Sequence, residues 1–182
     1  MFTYKVSNEV SLRLLEEQDA EELFQLTDHS RAHLMEWLPW LDAIRAPSDS
    51  LSFIEQARKK FENNEGMDVG IIYHGQIVGI VGFHYFDYTN RKTSIGYWLG
   101  EPFQGKGIMT DTCRAMIEYA FITLDMNRIE IRCATQNERS NAIPKRLGFN
   151  YEGTARQSEW LYDHYVDHDF YGLLKSEWET IT

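Results

Sequence analysis

Between residues 95 and 110 a strand pattern runs directly into a glycine-rich turn and then into a helix, an order that leaves the chain few ways to fold around it. Ile95 to Leu99 read as strand, Gly105, Lys106 and Gly107 make the turn, and Ile108, Met109 and Thr110 open the helix. Glycines at 105 and 107 let backbone N–H groups converge without obstruction, and a helix start adds unpaired donors and the positive end of its dipole. The segment predicts a seat for an anion such as a pyrophosphate.

With 182 residues the chain is long enough for one packed core, and residues 1–182 read as a single domain. No apolar run approaches the roughly 20 residues needed to cross a bilayer, and the first residues lack the apolar core of a signal peptide. A soluble cytoplasmic protein with no membrane partner is expected. The formal charge of -10 argues against direct nucleic-acid binding and for cationic partners such as amines or basic polypeptides. Cys113 and Cys133 show no metal or redox spacing and read as small buried residues.

The periodicities predict an α+β order. Val10, Leu12 and Leu14 alternate as a strand, and Asp19 with Glu22 resembles a capping box for a helix carrying Ala20, Leu23, Phe24 and Thr27. Ser48 is placed to cap a second helix on Leu51, Ile54, Ala57 and Phe61 that ends by Gly66. A meander follows over 69–73, 77–83 and 93–99, with a tight turn at His74 and Gly75. Met109, Cys113, Met116, Ile117, Ala120, Phe121 and Leu124 then form the stripe of a helix lying on a sheet. Ile129, Ile131 and Cys133 alternate as a strand, a short helix is expected over about 141–147, and strands near 150–156 and 164–174 close the sheet.

Gly100, Gly105 and Lys106 nearly match the phosphate loop of nucleotide hydrolases. That reading fails because Gly107 stands where a magnesium-binding hydroxyl is needed. Read instead as Gln104-x-x-Gly107 between strand and helix, the segment resembles the coenzyme A pyrophosphate loop of the GNAT superfamily of N-acetyltransferases. Asn137, Ser140 and the closing Gly148 and Phe149 resemble that superfamily's second signature. Two ordered signatures roughly 30 residues apart are far more specific than either alone. Residues 151–168, from Tyr151 through Glu159 and Trp160 to His168, resemble the tail of its ribosomal-protein N-terminal acetyltransferase branch. The resemblance covers roughly residues 10–175.

The resemblance implies a mixed, mostly antiparallel, splayed sheet with helices on both faces, and acetyl-CoA as donor substrate beside the strand ending at Trp98 and Leu99. By position the donor would meet Trp98, Leu99, Gln104, Gly105, Lys106, Gly107, Ile108, Met109, Thr110 and Asn137. Arg139, Lys145 and Arg146, with Lys106, are the local basic set that a polyanionic cofactor requires. Met109 departs from the usual small residue, adding bulk but keeping its N–H. Pro144 stands where many members carry the tyrosine thought to protonate departing coenzyme A. A proline inside a helix loses a backbone bond and clashes, so this helix should begin late. Either Asn141 is its N-cap and leaves Ser140 free, or Ser140 is itself the cap.

Direct attack of an amine on the thioester needs a neutral amine, a stabilised oxyanion and a donor for the thiolate. The resemblance implies Ser140 as donor to the sulfur and Glu159 as acceptor of the amine's proton through water, with the oxyanion met by a strand N–H near Leu99. For Glu159 alone, an exposed charge beside Trp160 is the competing reading. His164 and His168 alternate with apolar residues; about 13 Å apart on a strand, they cannot share a metal. No metal is expected, and His29, His33, His74 and His84 read as structural or surface residues. The expected acceptor is the N-terminal amine of a basic, ribosomal protein. A polyamine or other small amine is the alternative, and a silent acyl-CoA-binding module a third reading. Trp37, Pro39 and Trp40 could form an acceptor lid or a homo-oligomer contact.

Overall fold

The computed structural model describes residues 2–181. Among these, eight strands form one sheet. In chain order they are β1 (Thr3–Lys5), β2 (Val10–Arg13), β3 (Met67–Tyr73), β4 (Gln76–Asp87), β5 (Lys92–Leu99), β6 (Arg128–Ala134), β7 (Asn150–Leu161) and β8 (His164–Leu174). Their spatial order is β1-β2-β3-β4-β5-β6-β8-β7, antiparallel throughout except where β5 meets β6. His74 and Gly75 both take positive φ, 49° and 83°, which is what a two-residue hairpin between β3 and β4 requires. The α+β architecture with a mixed sheet agrees with the reading of the sequence.

Alternation sorts the strand side chains onto two faces, and each face carries helices. On one face Met67, Val69, Ile71, Val81, Phe83 and Ile95 pack with Met109, Cys113, Met116 and Ile117 of α4 (Ile108–Glu118). Met109 is buried in that core, so its bulk points away from the turn. The end of the predicted helix departs from α geometry: Tyr119–Thr123 widen into a π turn. On the other face Ile72, Ile77 and Ile80 pack with Leu15, Leu23 of α1 (Ala20–His29) and Ile54 of α3 (Pro47–Glu62).

Two expected caps are replaced. Glu22 does not close a box with Asp19; its carboxylate accepts the Ile77 N–H at 2.7 Å and pins α1 to β4. Asp19 instead is gripped by both Arg13 terminal nitrogens at 2.6 and 2.8 Å and accepts the Glu16 N–H. These bonds to Arg13 hold its carboxyl below the usual carboxylate range. Likewise Ser48 lies inside α3, which starts on Pro47, and Asp49 accepts the N–H groups of Arg45 and Ala46. Strand β1, the short α2 (Arg31–Met35) and the C-terminal α6 (Lys175–Ile181) were not anticipated, and β7 extends past residue 156 to Leu161.

The largest correction concerns α5 (Glu138–Arg146), which starts early and keeps Pro144 in its interior. Its N-cap is Asn137, whose side chain accepts the Ser140 N–H at 3.1 Å, so neither Ser140 nor Asn141 caps it. Pro144 has no N–H for the carbonyl four residues earlier, that of Ser140. That carbonyl accepts the Tyr97 hydroxyl of β5 at 3.0 Å instead. A tertiary contact thus satisfies the group the proline orphans. Tyr97→Phe is expected to cost about 1–2 kcal/mol in urea unfolding, the cost of leaving such a carbonyl unpaired. In a Pro144→Ala background, where an N–H returns, the same change should cost distinctly less; equal costs would show that the two are uncoupled.

Candidate active site

β5 and β6 pair in parallel only at Lys92–Arg128, Thr93–Ile129 and Ser94–Glu130. Beyond Ser94 the strands part, although β5 runs on to Leu99 and β6 to Ala134. Gly100 donates to the Val78 carbonyl across β4 at 2.8 Å. Backbone direction alternates, so Trp98 also faces β4 while Tyr97 and Leu99 present N–H groups to the opening between β5 and β6. The splayed gap therefore has backbone donors on one edge.

At the end of β5 the glycine turn behaves as its composition dictates. Gly105 and Gly107 have φ of 73° and 78°, and a Cβ on either would meet nothing within 4 Å. Gly107 is the N-cap of α4 and supplies no side chain, so the first N–H groups of Ile108, Met109 and Thr110 face open space above the turn. This is a cradle that fits a pyrophosphate. From α5, Arg146 reaches the Thr110 hydroxyl at 2.7 Å, and Arg139 contacts the Gln104 side chain, which also touches His33 of α2. Gln104 thus links three elements across the mouth of the gap. Lys145 is exposed on α5, while the Lys106 ammonium lies over the Tyr73 and Phe103 rings, 5.7 and 5.8 Å from their centroids.

Ser140 sits in the first turn of α5 with its hydroxyl free of capping duty. Its Oγ donates to the Cys133 sulfur at 3.2 Å and lies 3.5 Å from the Tyr97 hydroxyl. Burial pushes the Cys133 and Cys113 thiols and the Tyr97 phenol up, so all three stay protonated near neutral pH. A buried neutral thiol is a poor nucleophile. Ser140 is the mobile polar hydrogen at this end of the gap, and it already points at a sulfur.

Trp98 is the exception among the residues grouped with the loop. Alternation turns its ring to the opposite face, where it joins Trp40, Phe53, Leu23 and Ile80 around a cavity of about 340 Å³. Leu38 and Ile44 complete the roof of that cavity. The roof is tied down by the β7–β8 turn, because the Tyr162 hydroxyl donates to the Leu38 carbonyl and accepts the Leu41 N–H at 3.2 Å. The segment at Trp37 to Trp40 is thus placed over this cavity.

The cavity floor is polar for a reason written in the strands. Asp68, Gly82 and Gly96 are successive cross-strand neighbours on β3, β4 and β5, and the glycines leave a trough. A Cβ on Gly82 would fall 2.3 Å from the Asp68 carboxylate, and one on Gly96 would fall 2.3 Å from His84 Nε2. Asp68 is paired with Lys60 at 2.8 Å, and His84 Nδ1 lies 3.2 Å from the Ser94 hydroxyl. The trough ends at the open edge of β5. The sequence reading singled out neither Asp68 nor Ser94 and took His84 as structural or surface; alternation on β3, β4 and β5 with glycines facing them was the available signal.

Glu159 is half-buried on β7, on the same sheet face as this cavity but outside its lining, with Oε1 3.7 Å from His168 Nε2. His168 is buried and its Nδ1 has no hydrogen-bond partner. His164 lies on the same strand, β8, and pairs with Asp163 at 2.6 Å. The structure brings Ser140, Tyr97 and Cys133 together and sets Glu159 apart with His168.

Residues 9–150 match the model of the acetyltransferase (GNAT) domain family. The putative ribosomal N-acetyltransferase YdaF of Bacillus subtilis (strain 168) is 41% identical over 98% of both chains. Among solved structures, the microcin C7 self-immunity acetyltransferase MccE, in complex with acetyl-CoA and AMP, superposes with a TM-score of 0.90 at 34% identity, covering 93% of this chain and 94% of that one. The ribosomal L7/L12 alpha-N-protein acetyltransferase RimL, in complex with coenzyme A as a cysteine disulfide, superposes with a TM-score of 0.91 at 27% identity, covering 95% and 98%. A splayed gap with an anion cradle on one side and these relatives lead to one conclusion: the chain belongs to the GNAT acetyltransferase family and is an N-acetyltransferase related to the ribosomal-protein acetyltransferases.

Proposed function

We propose that this protein transfers an acetyl group from acetyl-CoA to the N-terminal α-amine of a basic protein, by direct attack within a ternary complex. The observation that carries the reading is the placement of an anion cradle on one sheet face and an amine-sized cavity on the other, meeting at the gap between β5 and β6. Acetyl-CoA supplies the activated acetyl group. Gly105, Gly107 and the first N–H groups of α4 would hold its pyrophosphate, with Arg139, Lys145 and Arg146 supplying positive charge from α5. The outward N–H groups of Tyr97 and Leu99 suit a developing oxyanion. Ser140, whose hydroxyl donates to Cys133 Sγ, is positioned to donate to the departing coenzyme sulfur in place of the tyrosine that Pro144 replaces.

An α-amine, with a pKa of about 7.7–8.0, is substantially neutral near pH 7, whereas a lysine near 10.4 is almost wholly protonated. Peptide N-termini therefore ask less of a base, and the charge of -10 favours basic ones. The names of YdaF and RimL support a ribosomal-protein acceptor. A second reading, a small-molecule amine, is favoured by the aromatic lining of the cavity and by the AMP in the MccE complex. The resemblance assigns the amine's proton to Glu159 through water; the titratable side chains at the cavity are Asp68 and His84, the Tyr97 phenol being turned to Ser140 and Cys133.

Incubation with acetyl-CoA and a panel of basic peptides with free N-termini, polyamines and an aminoacyl nucleotide, read by mass spectrometry, tests the assignment. Acetylated peptide is expected; tight acetyl-CoA binding with no product would leave only a binding module. Acetyl-CoA should raise the melting temperature and magnesium-ATP should not, through preferential binding to the folded state. Gly107→Val, which forces a β-branched residue to φ near 78°, should weaken acetyl-CoA binding at least about tenfold by calorimetry. Ser140→Ala should lower kcat by about 10–100-fold while leaving the acetyl-CoA Kd unchanged; an unaltered kcat removes Ser140 from the chemistry.

A further inference from the structure

We infer that His84, rather than Glu159, takes the proton from the attacking amine. The inference rests on the acetyltransferase reading and identifies a residue that the resemblance leaves unused. His84 lines the cavity on the face opposite the cradle, and its Nε2 lies above Gly96, one residue from Tyr97 at the gap edge. Glu159 is absent from that lining and is occupied with His168.

Ser94 is buried on β5 with its hydroxyl 3.2 Å from His84 Nδ1, and the tautomer that the inference uses has Nδ1–H donating to that Oγ and the lone pair on Nε2. The glycine pair Gly82 and Gly96 lets the Asp68 carboxylate and the imidazole lie close against the sheet, where a Cβ would collide with each, at the edge of the cavity that both line. Asp68, paired with Lys60, stands on β3 beside Gly82, and the amine that attacks is the neutral form.

The surroundings keep the base neutral. Partial burial of the ring, which keeps an exposed edge, and the charges of Arg132 on β6 and Lys60 on α3 lower its pKa, and Asp68 on β3 opposes them. The unprotonated form therefore dominates at neutral pH and is lost only as pH falls through the lowered value. In the reaction the amine nitrogen bonds to the acetyl carbon and the carbon–sulfur bond breaks. The proton shed by nitrogen goes to Nε2, and the sulfur leaves with its electron pair, hydrogen bonded by Ser140. His84 returns its proton to solvent through the open cavity.

The test uses the best acceptor found in the panel and compares wild type with His84→Gln, His84→Ala and Glu159→Gln. His84→Gln should lower kcat about 100-fold, the range expected for loss of a general base, with the melting temperature and acetyl-CoA-induced shift retained. Free imidazole should restore part of the rate in His84→Ala, and Glu159→Gln should lose less than His84→Gln. The imidazole resonance absent from His84→Gln should titrate below 6.5 in the wild-type NMR spectrum. Its midpoint should lie within about one unit of the acidic limb of kcat. A wild-type kcat in His84→Gln, a larger loss in Glu159→Gln, or a midpoint unrelated to the rate would overturn the inference. A wild-type protein that acetylates nothing in the panel would sink the acetyltransfer reading with it; an active one indifferent to His84 sinks this assignment alone.

Discussion

The interruption of the β5–β6 ladder after Ser94 and Glu130 is the constraint on which the rest of the site depends. A continuous parallel pairing would consume the N–H groups of Tyr97 and Leu99 and close the sheet to anything passing between its faces. Because it stops, one sheet carries a glycine cradle and an aromatic cavity back to back. The unpaired edge is tolerable where water or a ligand can satisfy it, and it sits at the mouth of a cleft where both have access.

Holding the two halves apart requires a spacer that is itself stable. That spacer is α5, whose interior proline would destabilise an isolated helix by about 3 kcal/mol. The Tyr97 hydroxyl caps the orphaned Ser140 carbonyl from across the gap, and Asn141 is buried with its amide donating to Ala134 and Asn137 and its oxygen accepting from Tyr171. The same contacts fix the position of the Ser140 side chain. The bonds that satisfy the helix around Pro144 therefore also hold Ser140 against the gap.

Much of the fold was legible because it rests on local periodicity. The meander, the hairpin at His74 and Gly75, the stripe of α4 and the left-handed glycines of the cradle all follow from side-chain spacing and backbone sterics within one segment. Caps were less legible: Asp19 spent its carboxylate on Arg13, Glu22 on the Ile77 amide, and Asp49 displaced Ser48. Each was decided by a partner distant in sequence or by competition among neighbouring acids. Proline in isolation favours a late start for α5, and a hydroxyl 43 positions from Ser140 in sequence overrides that preference.

The sequence by itself determined that residues 95–110 would make an anion cradle, that Gly107 removes the hydroxyl nucleotide chemistry needs, and that Ser140 and Glu159 were chemical candidates. Those conclusions depend on residue type and short spacing, which a linear chain displays. Only the tertiary structure decided that Ser140 faces a sulfur and that Trp98 belongs to the opposite face. It alone set Glu159 beside His168 and drew Asp68 and His84 over two glycines at the cavity. The reason is physical: the faces of a sheet are shared by strands far apart in sequence, and polarity inside a cavity is fixed by which side chains meet there.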